Sequence, residues 1–219
     1  DINEVRRLIE KYEMPVLGYT PEHNAYPYNY MIGSEAQRRD AIDYLKLSLE
    51  MAKEMGAEFV LTSPANGGYL ATYDQLWSRL EKNIQELGDY AAKLEIKLVV
   101  EALTPYESNF FTRANDLVEL FRRVDNPYVV GMCDIVPPFV QHESIMAYFD
   151  KLGNKMDHMH IIDGENGSDT HLIPGEGNIP IKEMLYEMKR IGYDKTATLE
   201  LVTNYINEPR FYAKRAIDN

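Results

Sequence analysis

Four side chains of metal-ligating type stand at the ends of four apolar runs: Glu101 in "LVVEAL", Asp134 in "GMCDI", His160 in "DHMHIID" and Glu200 in "TLELV". A carboxylate that ends an apolar strand is costly to bury alone, so it must be solvated, paired or bound to a cation. Taken singly, each is most simply a salt-bridged or loop-capping residue. Together, at the same edge of successive strands, they point to one site. Three carboxylates and an imidazole suit a divalent cation, Mn²⁺, Mg²⁺ or Co²⁺, with Zn²⁺ also accommodated. Cys133 neighbours Asp134 and so points to the other side of its strand, which leaves a thiolate out of the set. His158 shares the strand face of His160 and reads as a satisfied core histidine or one that orients a ligand. Asp163 is a second residue of that orienting kind.

These residues must be positioned by short apolar strands that alternate with amphipathic helices. A first helix, "INEVRRLIEKYE", carries Ile2, Val5, Leu8, Ile9 and Tyr12 on one face. Six strands follow, in "MPVLGYT", "EFVLTS", "IKLVVEAL", "YVVGMCDI", "DHMHIID" and "TATLELV". Between them lie helices marked by Ile42, Leu45, Leu49 and Ala52; by Leu76, Leu80, Ile84, Leu87, Ala91 and Leu94; by Leu117, Leu120, Phe121 and Val124; by Ile145, Tyr148, Phe149 and Leu152; and by Met184, Leu185, Met188 and Ile191. A last helix begins near Glu208.

Nearly continuous apolar strands separated by helices predict a parallel sheet covered by helices. An open doubly wound sheet concentrates its ligand at one switch point, whereas a closed barrel gathers all its strand ends around an axis. Here Tyr19, Ser63, Glu101, Asp134, His160 and Glu200 all fall at strand ends, which favours the barrel. No strand leads into a glycine-rich phosphate loop. A (β/α)8 barrel takes eight strands and six are counted from Pro15. The expectation is therefore one partial barrel domain over residues 1–219, running from strand three to the start of the last helix. Its first two strands would lie upstream of Asp1, leaving a gap between the strands at Pro15 and Thr196.

With 219 residues and 45% hydrophobic content the chain can bury a core as one globular domain. Its single cysteine excludes an internal disulfide, and no apolar run approaches the roughly 18 residues of a membrane span. A reducing cytoplasm is the expected location. A net charge of −12 disfavours binding to a phosphate backbone. The expected partner is a small molecule, with neither nucleic acid nor membrane implicated and a homo-oligomer left open.

The four strand-end residues, with "VEALTPYESN", "SDTHLIPGEG", "ELVT" and "NEPR", resemble the xylose-isomerase-like TIM-barrel family of sugar isomerases and epimerases. The similarity runs from about Ile9 to Ala216, and "GYTPE", "YPYN", "KLG" and "YESN" tie it to the branch that epimerises a substituted ketose at C3. The resemblance implies one divalent metal ion held by Glu101, Asp134, His160 and Glu200. It also implies that Glu107, six residues after Glu101, contacts substrate. Ketohexose epimerases of the family carry a His where this chain has Pro137 and an Arg where it has His171. Both departures favour a ketose with a substituent, such as an Amadori sugar, over a plain ketohexose. His171, otherwise a solvated turn residue, joins the expected substrate contacts, with Tyr19 and Tyr69 as pocket walls. The tyrosines of "AYPYNY" are surface aromatics or a further wall, and "PGEG" is turn chemistry.

Epimerisation at C3 removes a proton from a carbon beside a carbonyl and returns it on the opposite face. Glu101 and Glu200 suit the two bases, while Asp134 and His160 mainly hold the metal. The same residues could run an aldose–ketose or hydroxypyruvate-type isomerisation. An abasic-site endonuclease would need further ligands and a basic groove, and a non-catalytic sugar-binding barrel need not have kept all four ligands.

Overall fold

The computed structural model describes residues 1–165, 167–202 and 205–218. Helix α1 (Ile2–Tyr12) leads to β1 (Gly18–Tyr19), α2 (Glu35–Glu54), β2 (Phe59–Thr62), α3 (Tyr73–Leu94), β3 (Lys97–Val100) and α4 (Ala114–Arg123). Then come β4 (Val129–Asp134), α5 (Val136–Val140), α6 (Met146–Leu152), β5 (Met156–His160), α7 (Ile181–Ile191), β6 (Thr196–Thr198) and α8 (Pro209–Asp218). All strand pairs are parallel, in the order β1-β2-β3-β4-β5-β6. Strands β1 and β6 are the two edges of this curled sheet, an incomplete (β/α)8 barrel. Every strand and long helix read from the sequence is present, and the short α5, begun by the apolar "VPPFV", is an addition.

The helices start where side chains can satisfy their first N–H groups. Ser34 and Gln37 form a reciprocal cap on α2, and Thr72 and Gln75 do the same on α3. Met14 N–H bonds back to Ile9 beyond the end of α1, which itself buries no residue.

Strand alternation divides the core in two. Val60, Leu98, Val100, Val129, Cys133 and Met159 face the helices and join the large outer core. Phe59, Leu61, Val99, Val130 and Met132 fill the concave interior. Two residues beyond Met132 on the same face comes Asp134, and His158 and His160 follow this parity on β5. Alternation thus delivers polar side chains above an apolar plug at the carboxyl ends of the strands.

At β1 the register turns Tyr19, expected as a pocket wall, away from the strand-end cluster. Gly18 pairs with Phe59 and Tyr19 with Val60, so Tyr19 faces the helices and packs on the outer core. Gly18 takes the interior position because a Cβ there would lie 2.2 Å from the Phe59 ring.

Candidate metal centre

Glu101 extends β3 by one residue, its N–H bonded to Thr62 O at 3.0 Å, and its side chain turns inward. Asp134 ends β4 with Oδ1 accepting the N–H of Val136 at 2.7 Å, which leaves Oδ2 aimed at the axis. His160 ends β5, and Glu200 lies two residues beyond β6. Nδ1 of His160 is 3.6 Å from Glu101 Oε1, 3.4 Å from Asp134 Oδ2 and 3.1 Å from Glu200 Oε2. One donor atom from each of the four side chains lies within 4.8 Å of the others. Asp134 Oδ2 and His160 Nδ1 are buried and make no hydrogen bond among the described residues. Convergent lone pairs, mostly oxygen, fit a divalent cation.

The electrostatics follow from crowding. Burial pushes the Glu101 carboxyl well above the usual range, with His160 opposing and Glu200 and Asp134 adding to the rise. Burial would also raise Glu200, but its contacts with His160 and His171 outweigh that and hold it low.

His171 is no solvated turn residue. Its side chain is 10% exposed, and Nε2 lies 3.3 Å from Asp134 Oδ2 and 3.2 Å from Glu200 Oε2. The loop carrying it folds back through an antiparallel bridge in which Asp163 and Leu172 exchange both backbone hydrogen bonds. The Asp163 carboxylate tightens that loop by accepting the N–H groups of Gly164, Gly175 and Ile179, each at 2.9 Å. Asp163 therefore shapes the loop and touches none of the four convergent residues. Within "PGEG", Gly175 does adopt positive φ (93°). Gly177 is needed for another reason: a Cβ would stand 2.5 Å from Asp163 Oδ1 and Gly164 O. Glu176 ties the loop to α8 through Arg215 at 2.6 Å and to the turn before it through the Tyr205 hydroxyl at 2.9 Å.

His158 is a core residue. Its ring nitrogens are paired with Thr196 Oγ1 and Thr198 Oγ1 at 2.8 and 3.0 Å, and Phe59 packs on it. Burial, then His160, lowers its pKa to about 4, so the imidazole is neutral.

A cavity of about 310 Å³ opens above the cluster, lined by Glu101, Asp134, His171 and Glu200 together with Glu107, Asp169, His23 and Asn24. Glu107 thus shares one cavity with the cluster. Tyr69, 90% exposed, and Tyr19 do not line it. Nor do the tyrosines of "AYPYNY": Tyr26 is exposed, Tyr28 stacks on Tyr44 and Tyr30 is buried in the core. His23, fixed by Nδ1 on Pro21 O at 2.7 Å, and Asp169 were not singled out from sequence. Both sit in loops, and only the repeated placement of polar residues just past strand ends hinted at them.

The chain is similar to several known proteins. A profile described as "Xylose isomerase-like TIM barrel" matches residues 1–218. Fructoselysine 3-epimerase of Shigella flexneri is 47% identical over 217 residues, covering 99% of this chain and 79% of the relative. Among solved structures, 3-keto-D-glucoside 4-epimerase from E. coli superposes with a TM-score of 0.83 at 14% identity, over 99% of this chain and 82% of that one. The IOLI protein with a bound zinc atom gives 0.76 at 20%, over 98% and 77%. With one family profile spanning the described chain and a relative this similar along nearly all of its length, the chain belongs to the xylose isomerase-like TIM-barrel family.

Proposed function

We propose that the protein is a metal-dependent epimerase that inverts C3 of a substituted ketose of the fructoselysine type. The observation that supports it is the convergence of Glu101, Asp134, His160 and Glu200 in a chain 47% identical to a fructoselysine 3-epimerase. These four residues would hold one divalent ion, Mn²⁺, Co²⁺, Mg²⁺ or Zn²⁺. When bound, the ion supplies Lewis-acid stabilisation of the negative charge that develops on the substrate oxygens.

The protein's own groups do the rest. Glu101 and Glu200 come from different strands and flank the same His160 nitrogen, so the two carboxylates can face opposite sides of one carbon. One takes the C3 proton and the other returns a proton to the far face. Asp134, anchored by Val136 N–H, and His160 hold position. The apolar plug of Phe59, Leu61, Val99, Val130 and Met132 forms the floor beneath them. Glu107 and His171 reach the same cavity and contact the substrate.

The test is incubation of the full chain with fructoselysine and Mn²⁺ in deuterated water. The expected result is deuterium at C3 with formation of the C3 epimer. Label at C2 of an aldosylamine product would instead mark an isomerase, and no label at either carbon would reject both.

A further inference from the structure

We infer that Glu107 and Asp169, bridged by Thr104, form a subsite that reads the protonated secondary amine attached to C1 of the ketose. The inference rests on the epimerase reading and adds the group that selects its substrate.

The wall of the cavity is rich in acceptors and poor in donors. Thr104 Oγ1 lies 3.0 Å from Glu107 Oε2 and 3.2 Å from Asp169 Oδ2, yet a hydroxyl has one proton to give. The Thr104 N–H reaches Glu107 Oε2 at 3.3 Å and adds nothing to Asp169. Oδ1 of Asp169 is buried and makes no hydrogen bond among the described residues. Nδ1 of His171, on a side chain nine-tenths buried, is likewise unbonded and stands 4.0 Å from that oxygen. Two acidic groups are thus held close together, with one loose imidazole nitrogen at their side.

Charge sharpens the point. Five carboxylates line this cavity, and none of its described lining residues is Lys or Arg. A divalent ion among Glu101, Asp134 and Glu200 would balance two of these five carboxylates and leave a negative surplus on the Glu107–Asp169 side. A bound cation removes that cost. A secondary ammonium carries one positive charge and two N–H donors, one for each carboxylate. The hydroxyl of a plain ketose at the same carbon offers one neutral donor and leaves the second carboxylate uncompensated. In a 1-amino-1-deoxyketose the nitrogen sits one carbon from the carbonyl, so a substrate whose C2 and C3 oxygens lie at the four-residue cluster brings its amine to the adjacent wall.

The experiment is titration calorimetry on the full chain loaded with Mn²⁺, comparing 1-deoxy-1-methylaminofructose with its uncharged counterpart 1-O-methylfructose. The amine should bind at least about tenfold tighter, and Asp169→Asn and Glu107→Gln should each bring the two affinities towards parity. Equal affinities in the unaltered protein overturn the subsite, as does a preference that both variants retain. The unaltered protein decides the question by itself if a variant does not fold. Deuterium exchange at C3, measured on the same two sugars, separates the two ideas. Preferential amine binding without exchange sinks the epimerase reading and leaves the subsite, whereas exchange at equal efficiency on both sugars does the reverse.

Discussion

Nε2 of His171 and Oδ2 of Asp134 lie 3.3 Å apart, a contact between the long β5–α7 loop and the end of β4. Burial disfavours the imidazolium, but Asp134 and Glu200 outweigh it and raise the His171 pKa to about 11. The protonated ring serves as the local counter-ion of two carboxylates. His171→Ala should therefore destabilise protein stripped of metal by several degrees in melting temperature. With saturating Mn²⁺, which supplies positive charge at the same place, the loss should be smaller. Equal losses with and without metal would show that the ring acts only by packing.

Addition of Mn²⁺ or Zn²⁺ to stripped protein should raise its melting temperature, by the equivalent of about 2.7 kcal/mol at a hundred times the dissociation constant. His160→Ala and Asp134→Asn remove donors whose free lone pairs face the cluster, and the metal-dependent rise should shrink or vanish in both. Metal content measured after gel filtration checks the same point.

Replacement of Glu101 or Glu200 by Gln keeps shape and removes the basic oxygen. Each variant should lose C3 proton exchange by roughly 10² to 10⁴-fold, the usual contribution of a positioned acid–base group. A Gln variant that still binds metal and exchanges the proton at the unaltered rate would remove that residue from the pair.

Outside the site, Glu86 joins α2 to α3 through Arg39 at 2.9 Å and Lys46 at 2.6 Å. The Arg39 contact, with that of Lys46, prevails over burial and lowers its pKa from 4.5 to about 2. A depressed carboxylate pKa stabilises the fold above the unfolded value and loses that effect as pH falls towards the folded one. Glu86→Gln should cost about 0.5–1 kcal/mol at neutral pH. In denaturant melts that difference should be flat above pH 5 or so and should fade between 4.5 and about 2.

Two glycines of one loop should behave differently. Gly175→Ala places a side chain in open space at positive φ and should cost about 1 kcal/mol. Gly177→Ala drives a Cβ against Asp163 and the backbone of Gly164 and should cost about 1–3 kcal/mol, with reduced metal-dependent stabilisation because His171 shares the loop. Thermal melts of the two variants with and without Mn²⁺ would show the contrast.

Hydrophobic periodicity alone determines much of this protein. A strand's side chains alternate strictly, so "GMCDI" commits Asp134 to the face of Met132 and sends Cys133 outward wherever the strand pairs. The same parity carries Glu101 and His160, so the four convergent residues are legible in the strand pattern alone. Local rules end where register and loops begin. Tyr19 faces the helices because β1 pairs Gly18 with Phe59, a one-residue choice set by the space beside an aromatic ring. Asp169 and His171 enter the cavity through a loop path closed by long-range bonds, such as Asp163 to Gly175 and Ile179. Those bonds join residues more than ten positions apart and have no periodic trace in the sequence, so the four-residue cluster can be read along the strands while the loop-built wall of the cavity exists only once the chain has folded.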